Sequence, residues 1–279
     1  MTQFPVRPLI FVAHPDDETL ALGGLLQRLP APLVVFATDG AAHGYGLERQ
    51  FGSLKAYADL RFQEAARVMS WIPNAAFKRL TRSDGSHFSD QHLFEDLPDA
   101  ATSLLAITQT YSPDAIISHA YEGAHIDHDA CSFLAMHIAG ALSVKLFEFP
   151  LYWLDQRGTV IRQQFRDIAA GVRTDGSQAT AADVMEWRLS ETEIQCKKKM
   201  LAEYHSQRGT VSTFAPETER MRLTRNNRAS FSFSLCTDYM YQERRPRFYH
   251  TRHHRLSAKA LLKKFAEFET WRAGQEWWK

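Results

Sequence analysis

The fold is decided by residues 7–20, which read Arg-Pro-Leu-Ile-Phe-Val-Ala-His-Pro-Asp-Asp-Glu-Thr-Leu. The apolar run from Leu9 to Ala13 is typical of a strand that is buried on both faces of a parallel sheet. It ends in His14, Pro15 and three carboxylates, and helix-spaced leucines follow from Leu20 onward. Because ligands bind outside the carboxyl ends of strands in open α/β sheets, we expect a site at this loop. The clustered negative charge predicts a metal ion or a cationic partner.

Length and composition are typical of a globular protein. The 279 residues are 44% hydrophobic, which allows a sizeable core, and the net charge of +1 argues against a nucleic-acid binder. Cys131, Cys196 and Cys236 are far apart and form no CxxC pattern, so we expect reduced thiols in a cytoplasmic protein. Neither a signal peptide nor an apolar run long enough for an integral membrane segment is found.

Strands and helices alternate through residues 1–150. Short apolar runs predict five strands, over residues 9–13, 33–37, 75–80, 115–118 and 144–149. The segments between most of them have helical periodicity. This order predicts an α/β fold with a Rossmann-like, mostly parallel sheet and helices on both faces.

The order loosens after Pro150, and residues 151–279 are expected to form a C-terminal α+β extension. The patterns predict a strand over 159–165, a loop over 171–182, a helix over 187–204, a strand over 231–235 and a helix over 257–271. Neither a repeat nor a linker divides the chain. We therefore expect a single domain over 1–279, with the extension completing a substrate pocket.

Metal-ligand side chains follow two of the predicted strands as pairs three residues apart, His14 with Asp17 and His125 with His128. Two imidazoles and a carboxylate make the ligand set of a catalytic zinc, which lowers the pKa of its water to about 7. The remaining carboxylate and histidine match the base and the oxyanion donor of a hydrolase. Each cluster alone also fits helix capping or a solvated helix face, but their shared place at strand ends favours a site.

Two motifs resemble those of a known family. Ala13-His14-Pro15-Asp16-Asp17-Glu18 resembles the signature of the LmbE-like, or PIG-L, N-acetylglucosaminyl deacetylases, and His125-Ile126-Asp127-His128 is similar to their His-Pro-Asp-His motif. Weaker similarity includes Thr38-Asp39-Gly40, residues 61–64, Asp84-Gly85 and residues 204–207. The resemblance implies zinc-dependent hydrolysis of an N-acetyl group on an amino sugar or glycoconjugate, which releases acetate and a free amine.

The resemblance also implies roles for the motif residues. The metal ligands would be His14, Asp17 and His128, which hold Zn²⁺, although Fe²⁺ fits the same set. Asp16 would be the general base, His125 would stabilise the oxyanion, and Asp127 would orient a histidine.

The resemblance further suggests substrate contacts from Arg61 and Asp84. The alternative for Arg61 is an ion pair with Glu64 along a helix, and the alternative for Asp84 is turn formation with Gly85.

The C-terminal region is strongly basic. Eight Lys or Arg residues and no acidic residue occur between Arg244 and Lys264, and Trp271, Trp277 and Trp278 follow. This pattern fits weak peripheral contact with anionic lipid, or a solvated helix whose tryptophans pack on the domain or on a homo-oligomer partner.

Three other functions remain open from the sequence. An amidase acting on a larger thiol or glycan conjugate would use the same metal site, because specificity resides in the loops. A non-haem iron oxygenase also uses two histidines and a carboxylate, but it would leave Asp16 and His125 without a task. A non-catalytic sugar-binding protein would have no need of a base.

Overall fold

A mostly parallel sheet forms the centre of the computed structural model, which describes residues 5–43, 46–155, 157, 159–166, 184–224 and 258–276. Its parallel strands are β1 (Pro8–Val12), β2 (Leu33–Phe36), β3 (Ala76–Arg79), β4 (Ala115–His119) and β5 (Lys145–Phe149). They lie in the order β3-β2-β1-β4-β5, with every neighbouring pair parallel. The predicted α/β fold is confirmed.

Helices cover both faces of this sheet. They are α1 (Asp17–Leu26), α2 (Leu47–Phe51), α3 (Leu54–Met69), α4 (Leu97–Tyr111), α5 (Ile126–Leu142), α6 (Glu191–Glu203), α7 (Arg208–Val211) and α8 (Ala258–Ala273). Alternation along β1 separates two cores, since Leu9 and Phe11 pack with residues of α4, α5 and α8. Ile10 and Val12 pack instead with residues of α1, α3 and α6. None of the helices in the described ranges is long and apolar enough to cross a membrane.

Residues beyond β5 extend the sheet and add a hairpin. The antiparallel strands β9 (Thr218–Leu223) and β8 (Met185–Arg188) continue the sheet from β5, and β6 (Tyr152–Leu154) pairs with β7 (Val160–Arg162). The helix predicted over 187–204 begins later, at Glu191. Trp187 lies in β8 opposite Glu219, and a capping box between Ser190 and Glu193 starts the helix.

Several sequence predictions fall outside the described residues. These are the loop over 171–182, the strand over 231–235, Cys236, residues 244–257 of the basic region, and Trp277 and Trp278.

A buried ion pair ties α1 to the C-terminal part of the chain. Leu22 leaves helical geometry (φ −133°, ψ 16°), and the backbone N–H groups of Gly24 and Leu25 donate to the Glu219 carboxylate at 2.6 and 2.9 Å. Lys197 Nζ donates to Glu219 Oε1 (2.7 Å) and to the carbonyl of Leu20 (3.0 Å). Lys197 and Glu219 are both 1% exposed. Because α1 begins at Asp17, this pair fixes the helix that follows the first motif.

We expect Lys197→Met to lower the free energy of unfolding by about 3–5 kcal/mol, because it leaves the Glu219 carboxylate buried without its cation. Urea denaturation followed by circular dichroism measures the loss. Arg67→Met is the matched control, because the ion pair of Arg67 with Glu203 (2.9 Å) is partly exposed, and its loss should cost less than about 1 kcal/mol. Similar small losses in both variants would contradict a stabilising role for the buried pair.

Candidate active site

Loops at the carboxyl ends of β1, β3 and β4 meet at one cavity of about 490 Å³. The β1 loop contributes His14, Asp16 and Asp17, and the start of α5 contributes His125 and His128. The two sequence motifs therefore come together at the sheet edge where the parallel order placed them.

Asp17 lies at the centre of the imidazoles. Its Oδ2 is 3.4 Å from His14 Nδ1, 3.6 Å from His128 Nε2 and 3.4 Å from His119 Nε2. Burial works to raise the pKa of Asp17, but His128, His119 and His14 together hold it well below its usual range. The carboxyl is therefore ionised, and its Oδ2 faces three ring nitrogens.

Carboxylates lie beside both ring nitrogens of His14. Nε2 lies 3.1 Å from Asp90 Oδ1 and 3.3 Å from Asp127 Oδ2. Burial alone would raise the pKa of Asp90, but the neighbouring His14 holds it below its usual value, so Asp90 is ionised. An ionised carboxylate only accepts, so Nε2 donates. Although burial lowers the pKa of His14, Asp90, Asp127 and Asp17 together hold it well above its usual value, so Nδ1 also carries a proton toward Asp17 unless a cation replaces that proton.

His128 is held in its neutral form. Burial lowers its pKa well below the usual value, so the ring is uncharged at neutral pH. Its Nδ1 has no hydrogen-bond partner among the described residues and lies 3.8 Å from Glu122 Oε2. Neutral imidazole is the form of histidine that binds metal ions.

Two separations within the proposed ligand set fit a divalent metal ion. The ligand atoms of a tetrahedral zinc lie about 3.3 Å apart, given metal–ligand bonds of about 2.0–2.2 Å. The separations of 3.4 and 3.6 Å from Asp17 Oδ2 to the nitrogens of His14 and His128 agree with this spacing. The His14 lone pair and the Asp17 carboxylate repel each other unless a proton or a cation lies between them. His14 also has the carboxylate partner that a metal-ligating histidine usually has.

Asp16 is held in a strained conformation beside this cluster. Its φ of 129° lies in the left-handed region, a conformation that costs about 1–3 kcal/mol and occurs mostly at functional sites. Arg61 Nη2 lies 3.1 Å from Asp16 Oδ2 and also donates to the carbonyl of Pro15 (2.7 Å). The backbone N–H of Asp16 donates to Glu18 Oε2 (3.1 Å), and Tyr204 donates its hydroxyl hydrogen to Glu18 Oε1. Burial raises the pKa of Asp16 to about 8, against the opposing effect of Arg61.

His125 presents a hydrogen-bond donor to the cavity. It is the N-cap of α5, and its Nδ1 accepts from the backbone N–H of Asp127 (3.2 Å). Burial lowers the pKa of His125, which favours the neutral ring, so its one proton lies on Nε2. Asp127 accepts from the backbone N–H groups of Gln91 (2.6 Å) and Leu93 (3.2 Å), which tie α5 to the loop after β3.

Comparison with known families agrees with the two motifs. The family model PIG-L, described as GlcNAc-PI de-N-acetylase, matches residues 9–139. Residues 9–139 belong to the PIG-L family. The recognition made from the motifs is thereby confirmed, and no curated protein sequence matches the chain.

Solved structures with similar folds include three that are described as deacetylases. A triple mutant of the deacetylase Orf2 from teicoplanin biosynthesis has 19% identity and a TM-score of 0.58, over 80% of this chain and 100% of that one. The A40926 pseudoaglycone deacetylase Dbv21 has 15% identity and a TM-score of 0.57, over 80% and 98%. The zinc-inhibited form of teicoplanin deacetylase Orf2 has 17% identity and a TM-score of 0.54, over 80% and 100%. At these identities the likeness concerns the fold.

Of the two predicted substrate contacts, Arg61 lies at the cavity and Asp84 does not. Arg61 lines the cavity, but its guanidinium is engaged with Asp16 and with backbone carbonyls. The alternative ion pair with Glu64 is not formed, because Glu64 accepts from Ser206. Asp84 is exposed in a turn, where it accepts from Ser86, and it is absent from the cavity lining. The structure gives no support to Asp84 as a substrate contact. That role of Asp84 stays a prediction.

Two residues of the cluster were missed by the sequence reasoning. Asp90 follows β3 and reaches both His14 (3.1 Å) and His125 (3.8 Å). His119 is the last residue of β4, and its Nε2 lies close to Asp17. For His119 the available signal was its position at the carboxyl end of a parallel strand, where ligands collect in such sheets. Asp90 lies in the loop well after β3 ends and carried no such signal.

Proposed function

We propose that the protein is a metal-dependent N-deacetylase that hydrolyses the N-acetyl group of an amino sugar or glycoconjugate. The observation that carries the proposal is the placement of Asp16 and His125 in one cavity with the ligand set. A base and an oxyanion donor beside a metal-binding cluster make up the machinery of amide hydrolysis. The description of the PIG-L model as GlcNAc-PI de-N-acetylase, and the deacetylase titles of the similar structures, support the same reaction.

The metal ion is assigned to His14, Asp17 and His128. We propose Zn²⁺, with Fe²⁺ as the alternative that the same ligands accept. A divalent ion bound there lowers the pKa of a coordinated water and polarises the amide carbonyl.

The protein's own groups account for the proton movements. Asp16 would take a proton from the attacking water, and Arg61 holds its carboxylate in place. A dication in the neighbouring ligand set would lower the pKa of Asp16 and so favour the ionised form that a base needs. As the water oxygen bonds to the carbonyl carbon, His125 Nε2–H donates to the oxygen that gains negative charge. The C–N bond then breaks, and protonation of the nitrogen by Asp16 or His125 releases acetate and a free amine. Asp127 keeps His14 oriented through its contact with Nε2.

The C-terminal extension forms part of the cavity. Ser206, Gln207, Thr210 and Phe214 line it, together with the β6–β7 hairpin. We therefore propose that residues 151–279 complete the substrate pocket of a single domain, in which Arg61 and Asp84 stay predicted substrate contacts. A cytoplasmic location, homo-oligomer formation and weak peripheral membrane contact through the basic C-terminal region also stay predictions.

Chelator-sensitive release of acetate tests the proposed function. We expect N-acetylated amino sugars and their glycosides to yield equal amounts of acetate and primary amine. EDTA should abolish release, and added metal ion should restore it. Because one similar structure is described as zinc-inhibited, Zn²⁺ is added at both one equivalent and excess, and Fe²⁺ is tested without oxygen. Acetate release that survives complete metal removal would contradict the proposal, and oxygen consumption by the iron form would favour the oxygenase.

A further inference from the structure

We propose that the substrate carries an anionic group, separated from the acetylated amine by an apolar ring, and that Arg162 binds this anion. The inference deepens the proposed deacetylase function and rests on it for the position of the amine. It names a specificity-determining residue in the β6–β7 hairpin, which lies outside the matched residues 9–139.

Arg162 has a charge with no counterion in the described structure. Two arginines line the cavity, and Arg61 is neutralised by Asp16. Arg162 forms no ion pair with any described residue, and its guanidinium carbon lies 5.5 Å from the centre of the Phe214 ring. A guanidinium resting on an aromatic face keeps its charge and its hydrogen-bond donors available, and its planar fork suits carboxylate and phosphate.

The route from the metal-ligand cluster to Arg162 is short. The Tyr152 ring lies 5.3 Å from the His128 ring and 6.5 Å from the Phe214 ring. Tyr152 is also the residue directly opposite Arg162 in the β6–β7 ladder. Opposite residues of an antiparallel pair have Cβ atoms about 4.5–5.5 Å apart. Arg162 is therefore a direct cross-strand neighbour of Tyr152, whose ring lies beside that of His128.

The wall along this route is apolar. Leu151, Tyr152, Val160 and Phe214 line it, and Leu151 and Phe214 are buried. A sugar that entered alone would leave the half-buried side chains of Tyr152 and Val160 partly in water, whereas an apolar ring would cover them and gain free energy from their burial. A ring placed against Tyr152 brings a substituent on its far side to Arg162.

The test compares matched aryl glycosides of N-acetylglucosamine. The phenyl and 4-carboxyphenyl glycosides differ only in the anion, and the 4-phosphophenyl glycoside replaces carboxylate by phosphate. We expect kcat/KM for acetate release to be about fivefold to tenfold higher for either anionic glycoside than for the phenyl glycoside. Added NaCl at high concentration should reduce this preference.

Arg162→Gln should remove the preference, so that kcat/KM of this variant for either anionic glycoside falls to its own kcat/KM for the phenyl glycoside. Arg157→Gln is the matched control, because Arg157 is exposed in the turn of the same hairpin and does not line the cavity. We expect it to keep the wild-type preference. Equal kcat/KM values for neutral and anionic glycosides in the wild type, or an unchanged preference in Arg162→Gln, would overturn the inference.

Binding of the deacetylated aryl glucosaminides separates this inference from the proposed function. Titration calorimetry should show tighter binding of the carboxyphenyl and phosphophenyl amines than of the phenyl amine to the wild type, and equal binding to Arg162→Gln. If no glycoside releases acetate, the proposed function fails, and the calorimetric comparison still decides the anion site. Equal binding of the three amines to the wild type would overturn the anion site even if acetate is released.

Discussion

Asp16→Asn should lower kcat for acetate release by about 100-fold to 10,000-fold, which is the contribution expected of a positioned general base. The asparagine side chain has nearly the same shape, but it cannot accept the proton of the attacking water. Asparagine also tolerates the left-handed backbone of position 16, where φ is 129°, better than most residues. The amide oxygen of asparagine can still accept from Arg61, so the loss should reflect chemistry and not unfolding. Acetate release under saturating substrate measures it.

Two controls keep this prediction specific. Asp59→Asn removes a carboxylate that pairs with Arg79 (3.4 Å) and lies outside the cavity lining, and kcat should change by less than about twofold. Metal content per chain should stay the same in Asp16→Asn, since Asp16 is not among the assigned ligands. If Asp16→Asn keeps its metal and turns over within about tenfold of wild type, another group is the base.

The first motif could be predicted because its signals are local. The apolar run at Leu9–Ala13 is long enough for a strand buried on both faces, and the ligand residues follow it directly. The start of α5 was harder, since apolar periodicity begins only near Ala130 although the helix begins at Ile126. Its first turn carries Asp127, His128 and Asp129, so the proposed site residues themselves interrupt the apolar helix pattern.

Contacts between distant segments could not be predicted from spacing. Arg61 and Glu64 are three residues apart on α3, yet each binds a different part of the chain, Asp16 and Ser206 respectively. Burial decides this, because a buried guanidinium requires several acceptors, and Asp16 together with two backbone carbonyls supplies more than Glu64 alone. Asp90 has no motif around it, and only the folding of the β3 loop brings it to His14.

The structure offers more than one ligand set, so the metal assignment makes a sharp prediction. Besides the assigned residues, His14, His125 and His128 form a three-histidine group, and Asp17 forms another with His119 and His128. We expect Asp17→Asn and His128→Gln to lose both the metal ion and the activity. His125→Gln should keep one metal ion per chain and lose about 100-fold to 1,000-fold in kcat, as expected for removal of an oxyanion donor. Elemental analysis after gel filtration measures the metal content.

His119→Gln completes this comparison, because it distinguishes the two groups that contain Asp17. His119 Nε2 accepts from the backbone N–H of Ala13 (3.1 Å), which engages the lone pair that a metal would need. We therefore expect His119→Gln to keep the metal ion. Retention of metal by Asp17→Asn together with its loss from His125→Gln would move the ion to the three-histidine group. That outcome is disfavoured, since the ionised Asp17 carboxylate lies 3.4 Å from His14 Nδ1 and 3.6 Å from His128 Nε2 and is therefore within reach of an ion that both imidazoles bind.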